Sequence, residues 1–329
     1  MNPETAILKA SSITKRYQMK DAGFASRRAI LTAVDDVDIE IRPGETLGIA
    51  GESGCGKSTL ARIMAGLLKP ENGTICCNGR DITTLPPPEY IEFRRQTQMI
   101  FQDPFSSLNP RMRVGDIISE PLMLSGMLSS SERRSRTESI MQTVGLSTEH
   151  YQRFPHEFSG GQRQRIGIAR ALAAAPSLII ADEPVSALDI SIQAQIINLL
   201  FSMKQQYNLS MLLVSHDLSV LRHVCDRICI MYLGKIVETA PAAEIFESCR
   251  HPYTEALIEA IPRINRQAGP KRLLLKDDIP SPLAIPAGCR FHPRCSYARD
   301  ICRSSEPQLE HKQAAHMAAC HFSELLVKP

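Results

Sequence analysis

No stretch of this 329-residue chain approaches the roughly 18 to 20 consecutive apolar residues that a membrane-spanning helix needs. Runs such as Leu178-Ile179-Ile180-Ala181 stop quickly at charge, so the chain is not expected to cross a bilayer. Its start, Met1-Asn2-Pro3-Glu4-Thr5, lacks the basic segment followed by an apolar one that marks a secretory signal, and a cytoplasmic location is expected. Strong charge of either sign is also missing. With 38 basic against 35 acidic residues, the net charge of +3 is too mild for a surface built on the phosphates of nucleic acid. There is no internal repeat and no low-complexity tract, so one unit present once is expected. Closely spaced C-x2-C pairs are absent although the chain holds ten cysteines. Six of them (Cys55, Cys76, Cys77, Cys225, Cys229, Cys249) are scattered through a part that reads as cytosolic, where disulfides are not expected. The other four fall within the last 41 residues and ask for a separate explanation.

What is present is enough apolar sequence, 43%, to bury a substantial core and leave a second small unit. Residues 30–50 alternate and then run apolar, which predicts strands leading into a glycine-rich turn. A helix should follow from Lys57 to Leu68, closed by Pro70, Asn72 and Gly73, and Pro86-Pro87-Pro88 marks a further break before a polar helix. From about Pro104 to Pro155 the pattern is helical. Ser177 to Ala181 and Ser210 to Val214 are short and uninterrupted, like strands of a parallel sheet covered on both faces. The alternation predicts an open α/β sheet with its chemistry at the strands' carboxyl ends. Beyond about Arg263, prolines 270, 280, 282 and 286 punctuate a segment with little period of either kind, and a boundary is placed there.

Gly51-Glu52-Ser53-Gly54-Cys55-Gly56-Lys57-Ser58 fits G-x-x-x-x-G-K-[ST] in full, directly after an apolar strand and opening a helix. Glycines let successive backbone N–H groups converge on phosphate oxygens, Lys57 reaches the β and γ phosphates, the Ser58 hydroxyl suits Mg²⁺, and the helix amino end favours the anion. Cys55 reads as a bystander whose N–H serves the phosphate. The strand Leu178 to Ala181 delivers two carboxylates. Asp182 is suited to hold Mg²⁺ through water, and Glu183 to polarise the water that attacks the γ phosphate. Ser159-Gly160-Gly161-Gln162 then opens a helical run in which Ser159 caps the helix and two glycines expose N–H groups at its positive end.

That last segment resembles the signature of the ABC ATPases, and the rest of the family pattern is matched in order from Tyr17 to His216. The resemblance implies a P-loop NTPase of the α/β class, with a mostly parallel sheet core, an antiparallel β subdomain and a helical subdomain at about 104–165. The nucleotide-binding domain would cover 1–263. It implies ATP contacts at Gly51, Ser53, Gly54, Cys55, Gly56, Lys57, Ser58 and Thr59, with Mg²⁺ at Ser58, Gln102 and Asp182. Tyr17 would stack on adenine, Gln102 would sense Mg²⁺ and a permease, Asp189 would end the loop 186–189 that communicates across a dimer, and His216 would contact the γ phosphate beside the catalytic Glu183. Taken alone, Tyr17 reads equally as packing and His216 as a buried core histidine. In the implied dimer, ATP held by one subunit is closed over by Ser159, Gly160, Gly161 and Gln162 of the other.

His251-Pro252-Tyr253-Thr254 and the proline-punctuated tail resemble the oligopeptide and dipeptide importer branch, with 264–329 as its C-terminal extension. The tail cysteines are spaced C-x5-C-x6-C-x17-C, looser than a zinc ribbon. The resemblance implies a [4Fe-4S] cluster on Cys289, Cys295, Cys302 and Cys320, with zinc as the alternative and His292 or His316 as substitute ligands. It further implies two membrane permease subunits, a second similar ATPase subunit with a heterodimer favoured over a homodimer, a separate extracytoplasmic substrate-binding protein, no nucleic acid, and a place on the cytoplasmic face of the inner membrane. Nickel, glutathione or antimicrobial-peptide cargo stays open. A non-transport ABC ATPase would need a second phosphate loop or a long insertion, and only 100 residues lie between Ser58 and Ser159. An iron–sulfur redox protein on an ATPase fold is the third class.

Overall fold

The computed structural model describes residues 6–20, 28–124, 128–261 and 280–326. The expected boundary at 263/264 lies outside these residues. The chain opens with two long strands, β1 (Leu8–Lys20) and β2 (Arg28–Ile41), and the fully buried β3 (Thr46–Ala50) follows. Helix α1 (Lys57–Met64) ends four residues before the expected Leu68. The reason is local: Gly66 turns left-handed at φ 66°, while the N–H groups of Gly66 and Leu67 donate back to Ile63 and Arg62, which caps the last carbonyls. Strands β4 (Asn72–Cys77) and β5 (Arg80–Asp81) form a hairpin around Asn78-Gly79, both at positive φ as a tight two-residue turn requires.

Next come α2 (Pro87–Gln96), which begins on the proline run, and β6 (Thr97–Ile100). Four helices without an intervening strand follow: α3 (Pro104–Ser107), α4 (Val114–Leu124), α5 (Ser130–Thr143) and α6 (Gly160–Ala173). Strand β7 (Leu178–Asp182), helix α7 (Ile190–Tyr207) and strand β8 (Ser210–Ser215) restore the alternation, with every residue of both strands buried. Then come α8 (Leu218–Val224), β9 (Arg227–Tyr232), β10 (Lys235–Pro241), α9 (Ala242–Ser248) and α10 (Pro252–Glu259). The tail adds α11 (Asp300–Ser304), β11 (Glu310–Gln313) and β12 (His316–Ala318).

The chain packs as two compact units. One joins the described residues up to Leu8, Ile41–Glu45 and those of Cys76–Val214. In it β6, β7 and β8 run parallel, with Thr97 opposite Leu178 and Leu178 opposite Ser210. The other unit joins the described residues of Lys9–Glu40, Thr46–Ile75 and those from Ser215 onward. There β3 runs parallel to β9, with Leu47 opposite Arg227, and β10 is antiparallel to β9. β12 adds antiparallel to β10, and β11 to β12. The antiparallel strands lie in the order β2-β1-β4-β5. A parallel-rich α/β core with an antiparallel sheet therefore stands as expected. Two features differ from the sequence reading: β9 and β10 occupy a stretch in which no strand was expected, and the tail read as aperiodic carries two strands that extend the sheet at β10.

Candidate functional site

Strand β3 delivers the chain into the glycine loop, and the glycines there are required by close approach. A Cβ on Gly51 would stand 2.2 Å from the Met231 carbonyl oxygen, and one on Gly56 (φ 109°) 2.0 Å from that of Ala33. No side chain fits at either place. Gly54 turns at φ 81° with nothing near it, and it is exposed together with Ser53. Lys57 is 4% exposed; its Nζ donates to the carbonyls of Gly51 (2.7 Å) and Glu52 (3.0 Å). The loop is thus wrapped around its own ammonium, a fixed positive charge at the amino end of α1. Ser58 and Thr59 lie half-buried on the first helical turn. Burial pushes the Cys55 thiol up despite the nearby Lys57 charge, so it stays neutral. Its N–H donates to the Glu52 carbonyl at 3.4 Å.

Glu52 has three further ties that no sequence pattern announced. Its N–H donates to the Tyr253 hydroxyl at 2.8 Å, and its carboxylate accepts two bonds from Arg294, at 2.7 and 3.0 Å. Because 242 residues separate the two charges, only the fold brings them together.

In the other unit, β7 ends on Asp182, which is 1% exposed, and Glu183 follows. Glu183 stands at φ 44°, a left-handed position that costs a non-glycine residue about 1–3 kcal/mol. Its N–H donates to the Val214 carbonyl at 3.0 Å, and its own carbonyl accepts from the Ser186 N–H and hydroxyl. Those bonds hold the strained turn. Gln102 Nε2 donates to Glu183 Oε2 at 3.1 Å, so two expected site residues, each just beyond the end of a different strand, meet directly.

Ser159 caps α6: its hydroxyl accepts the Gln162 N–H at 3.3 Å, and Gln162 Oε1 accepts the Ser159 N–H at 3.0 Å. This reciprocal box holds the helix start while Ser159 itself stays exposed. Gly160 and Gly161 let the loop leading to α7 come close, since their Cβ atoms would meet Leu188 Cδ2 at 3.2 Å and Ile192 Cγ2 at 2.6 Å. Asp189, exposed, is the residue before α7. His216 is exposed just beyond β8, which removes the alternative of a buried core histidine. Tyr17 on β1 is also partly exposed, with the Lys15 ammonium 5.7 Å from its ring centroid.

All ten cysteines are free thiols. Burial first, and the other tail thiols second, push Cys289 up to about 12 and Cys295 up to about 11, and Cys320 is raised too. The four tail thiols therefore share one neighbourhood. Among the described residues, however, no group of three or more His, Cys, Asp or Glu side chains is drawn together as metal ligands. This corrects the expectation of an assembled ligand set: burial favours neutral thiols at Cys289, Cys295 and Cys320, which do not draw together without a cation. Of the substitute ligands, His316 is committed elsewhere, its Nε2 lying 2.7 Å from Glu238 in a fully buried pair. His292 Nδ1 bonds the Cys289 carbonyl at 2.9 Å.

Residues 34–186 match the ABC transporter family, and residues 237–302 match the C-terminal region of oligopeptide/dipeptide transporters. The oligopeptide transport ATP-binding protein AppF of Bacillus subtilis is 46% identical over 98% of this chain and 98% of its own. The chain belongs to the ATP-binding proteins of oligopeptide and dipeptide ABC transporters. The di/tripeptide transport ATP-binding protein DppF of Pseudomonas aeruginosa is 43% identical over 97% of this chain and 98% of that protein. Among solved structures, an ATP-binding cassette in a dimeric post-hydrolysis state with ADP and phosphate is 31% identical, with TM-score 0.63 over 71% of this chain and 98% of that one. This ABC ATPase is a hydrolase of ATP, and no helix among its described residues is long and apolar enough to cross a membrane.

Proposed function

We propose that this chain powers the uptake of dipeptides or oligopeptides, coupling ATP binding and hydrolysis in a dimer to a permease from the cytoplasmic face of the cell membrane. The observation that carries the chemistry is the Gln102–Glu183 bond at the strained end of β7. Lys57 and the loop amides bind the phosphates; Glu183 orients and deprotonates the attacking water; His216 contacts the γ phosphate; Tyr17 stacks on adenine. Ser58, Gln102 and Asp182 would hold Mg²⁺, which supplies charge neutralisation at the phosphates.

The capped Ser159-Gly160-Gly161-Gln162 segment, with Ser159 exposed, closes the partner subunit's nucleotide, with Asp189 and its loop beside it. A dimeric related cassette supports this arrangement, and we take the partner to be a similar but distinct chain. Residues 1–263 then form the nucleotide-binding domain and 264–329 the extension. Cargo follows the names of the relatives, and a separate binding protein and the permease select it. If the proposal holds, the intact transporter carrying Lys57→Met will lose uptake of labelled dipeptide at least about a hundredfold. Unchanged uptake in that variant, or no peptide uptake by the unaltered complex, would refute it.

The four tail thiols are further proposed to hold a thiolate-bound group, a [4Fe-4S] cluster in preference to zinc, in a structural role. Their number supports this, because a bound cation offsets the burial that keeps Cys289, Cys295 and Cys320 protonated. Anaerobically purified protein should contain about four irons and four sulfides per chain, lost in Cys289→Ser. Zinc in their place selects the alternative, and neither metal rejects the site.

A further inference from the structure

Glu52 is an anion inside an anion-binding loop. A carboxylate there would repel the phosphates that the loop amides and Lys57 attract. The fold removes that conflict with residues from far along the chain. The Arg294 guanidinium, with its side chain 3% exposed, clamps the carboxylate with two bonds. Tyr232 and Phe291 wall the pair, each ring centroid 5.9 Å from the guanidinium carbon, and Tyr253 packs 4.6 Å from Tyr232, centroid to centroid. Such surroundings keep water from the guanidinium and strengthen the pair, while the Glu52 side chain stays 22% exposed. Tyr253 also fixes the Glu52 N–H, while the Glu52 carbonyl accepts the Lys57 ammonium. One loop residue is therefore held at its amide, its carbonyl and its carboxylate, and two of the three holders lie beyond residue 250.

We propose that Arg294, with Tyr253, is a positioning residue for the phosphate loop, through which the C-terminal extension sets the affinity for Mg-ATP. Arg294 neutralises Glu52 and holds it away from the phosphates, and Lys57 is placed through the same residue. Arg294 precedes Cys295 directly, so the segment bearing the tail thiols and the nucleotide loop are mechanically one piece. The inference rests on the nucleotide reading of the loop given above.

Equilibrium binding of Mg-ATP to the full-length chain tests it, with melting temperature recorded on the nucleotide-free protein. Arg294→Met should weaken binding about tenfold and raise the ATP KM in the transporter complex while kcat changes less than about threefold. The double variant Glu52→Gln with Arg294→Met should recover affinity to within about threefold of the unaltered protein, because no uncompensated carboxylate remains. A purely structural role predicts no such rescue. Equal affinity in Arg294→Met, or a double variant as weak as the single one, overturns the proposal. Should Arg294→Met not fold, Arg294→Lys keeps the charge and loses the fork: a loss of about threefold supports the proposal and no loss overturns it. If the unaltered chain binds no Mg-ATP, the nucleotide reading itself has failed.

Discussion

At the scale of single residues, strain and close approach mark the chemistry. Glu183 occupies a left-handed backbone position that glycine would adopt freely, and four hydrogen bonds, to Val214, Ser186 and Gln102, hold it there. The Gln102 bond alone reaches the carboxylate, and in the proposed role it orients that group before any nucleotide arrives, which lowers the reorganisation needed at reaction. Gly161 shows the other kind of requirement. An alanine methyl would lie 2.6 Å from the branched Ile192 side chain, so the start of α7 must shift. Gly161→Ala should lower stability by about 1–2 kcal/mol even after the gain in helix propensity, a fall in melting temperature of roughly 2–6 °C. Gly160→Ala, whose methyl meets Leu188 at 3.2 Å, should cost less; an equal or larger loss there would contradict this reading of the two glycines.

Among the elements, α10 carries the clearest pH signal. His251 stands at its start, fully buried, with Nδ1 accepting the Tyr253 N–H at 3.1 Å. Burial lowers its pKa from 6.5 to about 3. The unfolded chain takes up a proton below pH 6.5 and the folded one does not, so stability is complete above 6.5 and falls as pH drops toward 3. The loss reaches up to about 5 kcal/mol. Urea unfolding between pH 4 and 6.5 should show a slope smaller by about 1.4 kcal/mol per pH unit in His251→Asn, which keeps a capping acceptor. An unchanged slope would show that His251 titrates normally. Elements defined by local pattern were legible in the sequence: β3, β7 and β8 as uninterrupted apolar runs, and α6 from its cap. β9 and β10 were not, because their turn uses Leu233 at φ 41° before Gly234, and leucine gives no hint of a left-handed turn. β12 was hidden for another reason: its partner β10 lies far back in the chain, with Thr239 opposite Met317, and its buried anchor is the pairing of His316 with Glu238.

For the molecule as a whole, the motifs proposed to handle nucleotide stand out in the sequence because each is short and makes local backbone demands. Their control does not, since Glu52 and Arg294 meet only through the tertiary fold, and the tail thiols share a neighbourhood that their loose spacing does not reveal. Fold elements follow the sequence where the pattern is local and escape it where distant segments meet. The central claim is that one glycine loop binds Mg-ATP and Glu183 drives its hydrolysis. The most direct measurement compares Mg-ATP binding and turnover in the purified transporter with and without Glu183→Gln. Binding should survive within about threefold while turnover falls at least about a hundredfold. Turnover at the unaltered rate in that variant would contradict the account.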